Sequence, residues 1–191
     1  MLHQFADIHT HRPGLPSSIL SVSAEEAERI VRSNASLPAE HQQYYSLQLH
    51  PWHLSDESDV ERYVDMAQSL QSDPHFAAIG ECGLDSLCPT PLDFQHTAFL
   101  AALRLAQELQ KPIIIHCVRL WAEMMADVKA SQLSLPATAL IIHGFRKGPR
   151  LAQQLLDAGF SISLGLNYHS EVAGLIPPER LYHETDEGPF C

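Results

Sequence analysis

His9-Thr10-His11 puts two imidazoles two residues apart. On a strand alternate side chains share a face, so both can reach one ion. Asp7 has the same parity and is expected to orient a ligand imidazole by accepting from its other nitrogen. Histidine pairs also occur as hydrogen-bonded core residues, so this spacing gains its weight from its company. Glu81 follows the apolar run 76–79, and a carboxylate at the mouth of a buried strand is costly unless paired or bound to metal. Gly80 and Gly83 beside it permit close backbone approach. His116 closes Ile113-Ile114-Ile115, His143 closes Leu140-Ile141-Ile142, and Asp186 ends Glu184-Thr185-Asp186, a segment that also reads as a turn or helix cap. Gathered at one rim, His9, His11, Glu81, His116, His143 and Asp186 supply four imidazoles and two carboxylates, enough for two divalent ions bridged by Glu81. Such mixed ligands suit Zn, Mn or Fe better than Mg, which stays open.

Positioning these groups is the task of eight short apolar runs, at residues 4–9, 19–22, 45–50, 76–81, 112–116, 140–143, 160–164 and 181–185. Each has the length of a buried parallel strand. Helix-like stretches at 24–33, 59–71, 94–109, 121–130 and 148–158 lie between most of them. Ser23 before Glu25 and Glu26 reads as an N-cap, and Gly159 as a C-cap glycine. Alternation alone fits either a doubly wound sheet or a closed barrel. Polar groups stand at the C-terminal ends of nearly all the runs, which predicts a TIM-like (β/α)8 barrel, since an open sheet concentrates them at one switch point. A single domain over residues 1–191 is expected.

Composition narrows the classes further. A hydrophobic share of 45% with 18% charged residues belongs to an ordinary globular chain. The sequence contains no apolar run near the ~20 residues of a membrane span and no leader-like N-terminus, from which a cytoplasmic location is expected. Cys82, Cys88, Cys117 and Cys191 form no Cys-x-x-Cys pair and read as reduced thiols, not as a zinc ribbon or disulfide framework. The net charge of -11 excludes a broad nucleic-acid-coating surface. Any phosphate contact must be local, and Arg12, Arg119, Arg146, Lys147 and Arg150 fall just after predicted strands. Arg119 and Arg146, with His50, are the candidates for substrate binding. His50-Pro51-Trp52 also reads as a tight turn with a packed indole.

Six ordered motifs, Asp7-x-His9-x-His11, His50-Pro51-Trp52, Gly80-Glu81-x-Gly83-Leu84-Asp85, His116-Cys117, His143-Gly144-Phe145-Arg146 and Glu184-Thr185-Asp186, span nearly the whole chain. In this set the sequence resembles the TatD family of metal-dependent hydrolases and deoxyribonucleases. The resemblance implies a TIM-like barrel in which one or two divalent ions (Zn, Mn or Mg) activate water to hydrolyse DNA or a small phosphodiester. It implies that His9, His11, Glu81 and Asp186 hold one ion and Glu81, His116 and His143 the other. Glu81 and Asp186 are then the catalytic residues, with Asp186 accepting the proton of the attacking water.

Two departures stand out. Many family members carry an arginine two residues after the fifth-strand histidine, where this chain has Val118 followed by Arg119. The sequence also stops at Cys191, five residues after Asp186, where the family continues into a helix over the last and first strands. The resemblance therefore implies uncovered apolar surface, and with it marginal stability or self-association that sedimentation would reveal. Two other readings remain. An amidohydrolase on C–N or ester bonds is disfavoured because no lysine stands near the fourth strand to form a carboxylated bridge. A degenerate barrel serving as an interaction protein is the non-enzymatic reading.

Overall fold

The computed structural model describes residues 2–32, 43–134, 136 and 139–187. Eight parallel strands form one sheet whose spatial order is the chain order: β1 (Asp7–Thr10), β2 (Ser18–Val22), β3 (Tyr44–Leu49), β4 (Phe76–Asp85), β5 (Ile113–Val118), β6 (Leu140–Ile142), β7 (Ser161–Leu164) and β8 (Leu181–His183). Helices α1 (Ala24–Arg32), α2 (Glu57–Ser69), α3 (Leu92–Leu109), α4 (Trp121–Ala130) and α5 (Pro149–Asp157) follow β2 to β6, and a single turn, α6 (Ser170–Ala173), interrupts the β7–β8 connection. The ring closes just beyond β8. Asp186 N–H donates to the His9 carbonyl at 3.1 Å, His11 N–H to the Glu187 carbonyl at 3.2 Å, and the Thr185 hydroxyl to Asp7 Oδ2 at 2.7 Å. The fold is the expected (β/α)8 barrel.

Strand period explains how apolar runs end in chemistry. Ile113 and Ile115 join the large core that packs the sheet against Tyr63 and Ala67 of α2 and Ala102 and Leu103 of α3. Ile114 instead meets Ile8, Ile19, Ala78, Ile141 and Tyr182. Side chains from strands that far apart in the ring can meet only inside the barrel. Ile114 therefore faces inward, and His116, two residues on, takes the same side at the C-terminal mouth. Ile141 and His143 repeat the pattern. Burial of each such isoleucine contributes about 1.5–3 kcal/mol, so the apolar floor fixes the register that aims the imidazoles.

Helix ends obey the sequence reading. The Ser23 hydroxyl accepts the Glu26 N–H at 3.1 Å while the Glu26 carboxylate accepts the Ser23 N–H at 2.7 Å, a reciprocal cap on α1. Gly159 follows α5 at φ 92 and donates to the Leu156 carbonyl at 3.1 Å.

Every strand departs from its predicted bounds by at least a residue, and in three strands the departure bears on the site. The first begins at Asp7, because Leu2–Gln4 forms a 3-10 turn closed by Phe5 N–H on the Leu2 carbonyl at 3.0 Å. The last ends at His183, although Glu184 N–H still reaches the Leu164 carbonyl at 3.2 Å. The fourth runs on to Asp85, and its glycines are the reason. A Cβ on Gly80 would sit 2.2 Å from the Ile114 carbonyl oxygen, and one on Gly83 would sit 2.0 Å from that of His116. Both also hold positive φ. The close approach that Gly80 and Gly83 permit is thus to β5, and the strand continues beyond its predicted end at Glu81. We expect Gly83→Ala to cost at least about 3 kcal/mol through this collision and backbone strain, measured as a lowered urea midpoint. Cys82, Cys88 and Cys117 are free thiols. Cys191, Ser33 at the end of the first predicted helix, and the expectation about the chain after residue 187 lie outside the described residues. No helix among the described residues is long and apolar enough to cross a membrane.

Candidate metal centre

Glu81 owes its direction to an irregularity in β4. Gly80 pairs with Ile114 and Cys82 with the next residue, Ile115, so Glu81 is an extra residue against β5. A bulge of this kind re-aims a side chain, and here the carboxylate enters the barrel mouth. Five imidazoles surround it. Its Oε1 lies 2.8 Å from His143 Nε2, 3.0 Å from His116 Nδ1 and 3.3 Å from His50 Nε2. Its Oε2 lies 3.3 Å from His9 Nε2 and 3.7 Å from His11 Nε2. Asp186 Oδ1 stands 3.7 Å from His9 Nε2.

The neighbouring groups indicate which nitrogens are offered inward. His116 Nε2 lies 3.1 Å from Asp85 Oδ2, and an ionised Asp85 can only accept, so in the neutral ring the proton sits on Nε2 and Nδ1 is the nitrogen offered to the centre. His143 has Nδ1 toward Glu184 at 3.8 Å, leaving Nε2 for the centre. His116 Nδ1 and His143 Nε2 are only 3.3 Å apart, an approach that a shared cation would satisfy. His50 differs, because its Nδ1 accepts the Trp52 N–H at 3.3 Å. In the neutral ring the proton is then on Nε2, which donates to Glu81.

Buried charge supports the same picture. Glu81, Asp85 and Glu184 are each about 5% exposed or less, and their ion pairs among the described residues are all to histidines. Burial alone would raise the Glu81 pKa. The charge on His143 and hydrogen bonds from His116, His143 and His50 outweigh it and hold the carboxyl well below its usual range. Burial lowers the affinity of His143 for protons, but Glu81 and Glu184 reverse this and lift it well above the usual imidazole value. The centre therefore demands positive charge, which protonated imidazole or a divalent cation can provide.

A metal fits the donor set. His9 is fully buried, and neither of its ring nitrogens has a hydrogen-bond partner, a costly state that coordination would relieve. Ligand atoms ~2.0–2.1 Å from one tetrahedral ion stand roughly 3.3 Å apart, which matches the spacings above. Ligand atoms of His9, His11 and Glu81, of His9, His143 and Asp186, and of His50, Glu81 and His116 form three groups able to hold an ion. The structure thus brings together all six residues named from sequence as metal ligands, and adds His50, read from sequence as a substrate contact.

The family model described as TatD related DNase matches residues 15–191. The chain belongs to the TatD family. Among curated TatD relatives, the 3'-5' ssDNA/RNA exonuclease TatD of Citrobacter koseri is 35% identical over 133 residues, 64% of this chain and 50% of that protein. The uncharacterised metal-dependent hydrolase YcfH of Escherichia coli is 29% identical over 150 residues, 74% of this chain and 54% of that one. This chain therefore spans about half the length of the curated relatives it matches. The crystal structure of YjjV, a TatD homologue of Escherichia coli, superposes with TM-score 0.76 at 22% identity, covering 97% of this chain and 80% of that one. A TatD family hydrolase from Entamoeba histolytica gives 0.71 at 19% identity, over 96% and 73%.

Against this TatD framework, one placement departs from the sequence reading. Asp7 orients no imidazole: its Oδ1 accepts the His9 backbone N–H at 3.0 Å and its Oδ2 the Thr185 hydroxyl, so it ties β1 to the segment after β8. Arg146 stands 3.7 Å from Asp186 Oδ2 with its side chain 56% exposed. Arg119 is exposed in the turn after β5, and Arg12 pairs with Glu187 at 3.5 Å. Asp85 and Glu184 lay inside quoted motifs without a role. Asp85 accepts from Trp52 Nε1 at 2.7 Å, Leu87 N–H at 2.8 Å and His116. Burial opposes its ionisation, but the bonds from His116, Trp52 and Leu87 prevail and pull its pKa to about 2. Because Asp85 sets the His116 tautomer, Asp85→Asn should weaken divalent-metal binding about 10–100-fold, the usual effect of losing an outer carboxylate partner, as measured by calorimetric titration.

Proposed function

We propose that this TatD-family chain is a divalent-metal-dependent phosphodiesterase acting on DNA, most favourably on single strands. The observation that carries the reading is Glu81, a buried carboxylate ringed by His9, His11, His116 and His143 with Asp186 beside it. The names of the relatives, an exonuclease and a metal-dependent hydrolase, support the same class.

One or two divalent cations (Zn, Mn or Mg) held by His9, His11, Glu81, His116, His143 and Asp186 would acidify water and offset charge on the phosphoryl oxygens. The protein's part is to hold the donors ready. Asp85 keeps the His116 proton on Nε2, so that ring offers Nδ1 to an ion, and His143, with Nδ1 3.8 Å from Glu184, turns Nε2 toward the centre. Glu81 stays ionised between them. Asp186, whose side chain is 15% exposed at the mouth, can take the proton of the attacking water on Oδ1. Arg146 Nη2, next to Asp186 Oδ2, meets a phosphate oxygen on the open side, and Arg119 completes the substrate contacts, while His50 holds Glu81 Oε1.

End-labelled single-stranded and duplex DNA, incubated with protein loaded with Mn, Zn or Mg, should release nucleotides. Release should cease on chelation and return when metal is restored. Intact strands under every metal, with amide or lactone substrates cleaved instead, would move the assignment to an amidohydrolase.

A further inference from the structure

We propose that Trp52, flanked by Leu87, is a stacking platform for the base adjoining the scissile phosphodiester; this rests on the phosphodiesterase reading above. Trp52 is 50% exposed and Leu87 55%, and both are tied to the same buried carboxylate. Trp52 Nε1 donates to Asp85 Oδ2 at 2.7 Å and Leu87 N–H to Asp85 Oδ1 at 2.8 Å. His116 Nε2 meets that same Oδ2 at 3.1 Å. The indole nitrogen is thus within two hydrogen-bond lengths of a ring that reaches the metal centre.

An indole ordinarily withdraws its large apolar face from water. Here the N–H tether holds the ring in place with half its surface open, so little side-chain freedom is left to lose on binding. A charged centre with a flat apolar surface beside it suits a ligand that is anionic at one point and flat and apolar next to it. A phosphodiester with its neighbouring base has that form. Arg119 lies on the same stretch of rim: it follows Val118, whose carbonyl accepts the Ser86 N–H at 3.1 Å, and is exposed there to meet a flanking phosphate. Stacking tolerates any base, so the platform favours single strands without selecting sequence.

Trp52→Phe and Trp52→Leu both lose the tether to Asp85, and only Phe keeps an aromatic face. With a short single-stranded oligothymidylate as substrate, Trp52→Leu should raise KM roughly tenfold, while Trp52→Phe stays within about threefold of the parent. On the same strand made abasic at its terminal positions, the two variants should have equal KM. Equal KM on the base-bearing strand, or the same penalty on both strands, would overturn the platform. A readout independent of turnover uses Trp121→Phe, which leaves Trp52 as the one indole, since the sequence has two tryptophans. Oligothymidylate added in chelator should quench its fluorescence and the abasic strand should not; no quench by either contradicts the proposal. If the parent cuts no strand, the phosphodiesterase reading fails by itself, and the quench still decides whether Trp52 stacks a base.

Discussion

Glu81→Gln should lower kcat/KM on DNA by at least about a thousandfold and leave the barrel folded. The amide keeps the shape of the carboxylate but not its charge, and it would turn an N–H₂ group toward some of the imidazole nitrogens now 2.8 to 3.7 Å from Glu81. Losing an outer partner of a metal site typically costs 10–100-fold; this residue touches every candidate histidine at the centre and should cost more. The metal-stripped protein gives a second signature. Burial opposes protonation, but Glu81 and Glu184 lift His143 well above, and Asp85 and Glu81 lift His116 above, the ordinary imidazole value. A histidine with a raised folded-state pKa lends stability that is complete below its unfolded value near 6.5 and fades as pH rises through the folded value. The stripped parent should therefore lose urea resistance as pH climbs above neutrality, and Glu81→Gln should show a flatter profile. Activity within tenfold of the parent would remove Glu81 from the chemistry.

Asp186→Asn should lower kcat about 10²–10⁴-fold, the range for loss of a general base, and change KM by no more than severalfold. The substitution is clean for a structural reason. Asp186 sits at φ 49, in the left-handed region that Asp and Asn both tolerate, and its N–H bond to the His9 carbonyl at 3.1 Å is independent of the side chain. The contacts at 3.7 Å to His9 Nε2 and Arg146 Nη2 show the carboxylate facing both the centre and the substrate side. A variant that loses affinity for DNA at unchanged kcat would make Asp186 a binding residue instead.

The legible part of the site was that governed by strand periodicity. His9 and His11 share a parity, and His116 and His143 end runs whose alternate isoleucines fill the barrel interior, so their direction follows from local chain geometry. Relations between strands distant in sequence left weaker traces. Asp85 acquires its role only because Trp52, far along the chain, donates to it and because β4 continues past Gly83. Gly80 and Gly83, read as permitting close backbone approach, sit on a strand too near its neighbour for a Cβ, but which neighbour was not readable. Asp7 misled for the opposite reason. Its parity placed it beside the histidines, but the backbone N–H of His9 was the nearer donor. His50 belongs to both worlds: the His-Pro-Trp turn was readable, whereas its reach to Glu81 across the barrel mouth was not. A signal was present for Asp85 and Glu184, since buried acids within site motifs call for a partner.

Metal titration of the stripped chain, followed by calorimetry with Zn or Mn, tests the central claim most directly. Saturable binding of one or two ions per chain, abolished or severely weakened in Glu81→Gln and accompanied by release of protons from His116 and His143, is the predicted result. A folded parent that binds neither ion, or that binds them equally well with Glu81 replaced, would contradict it.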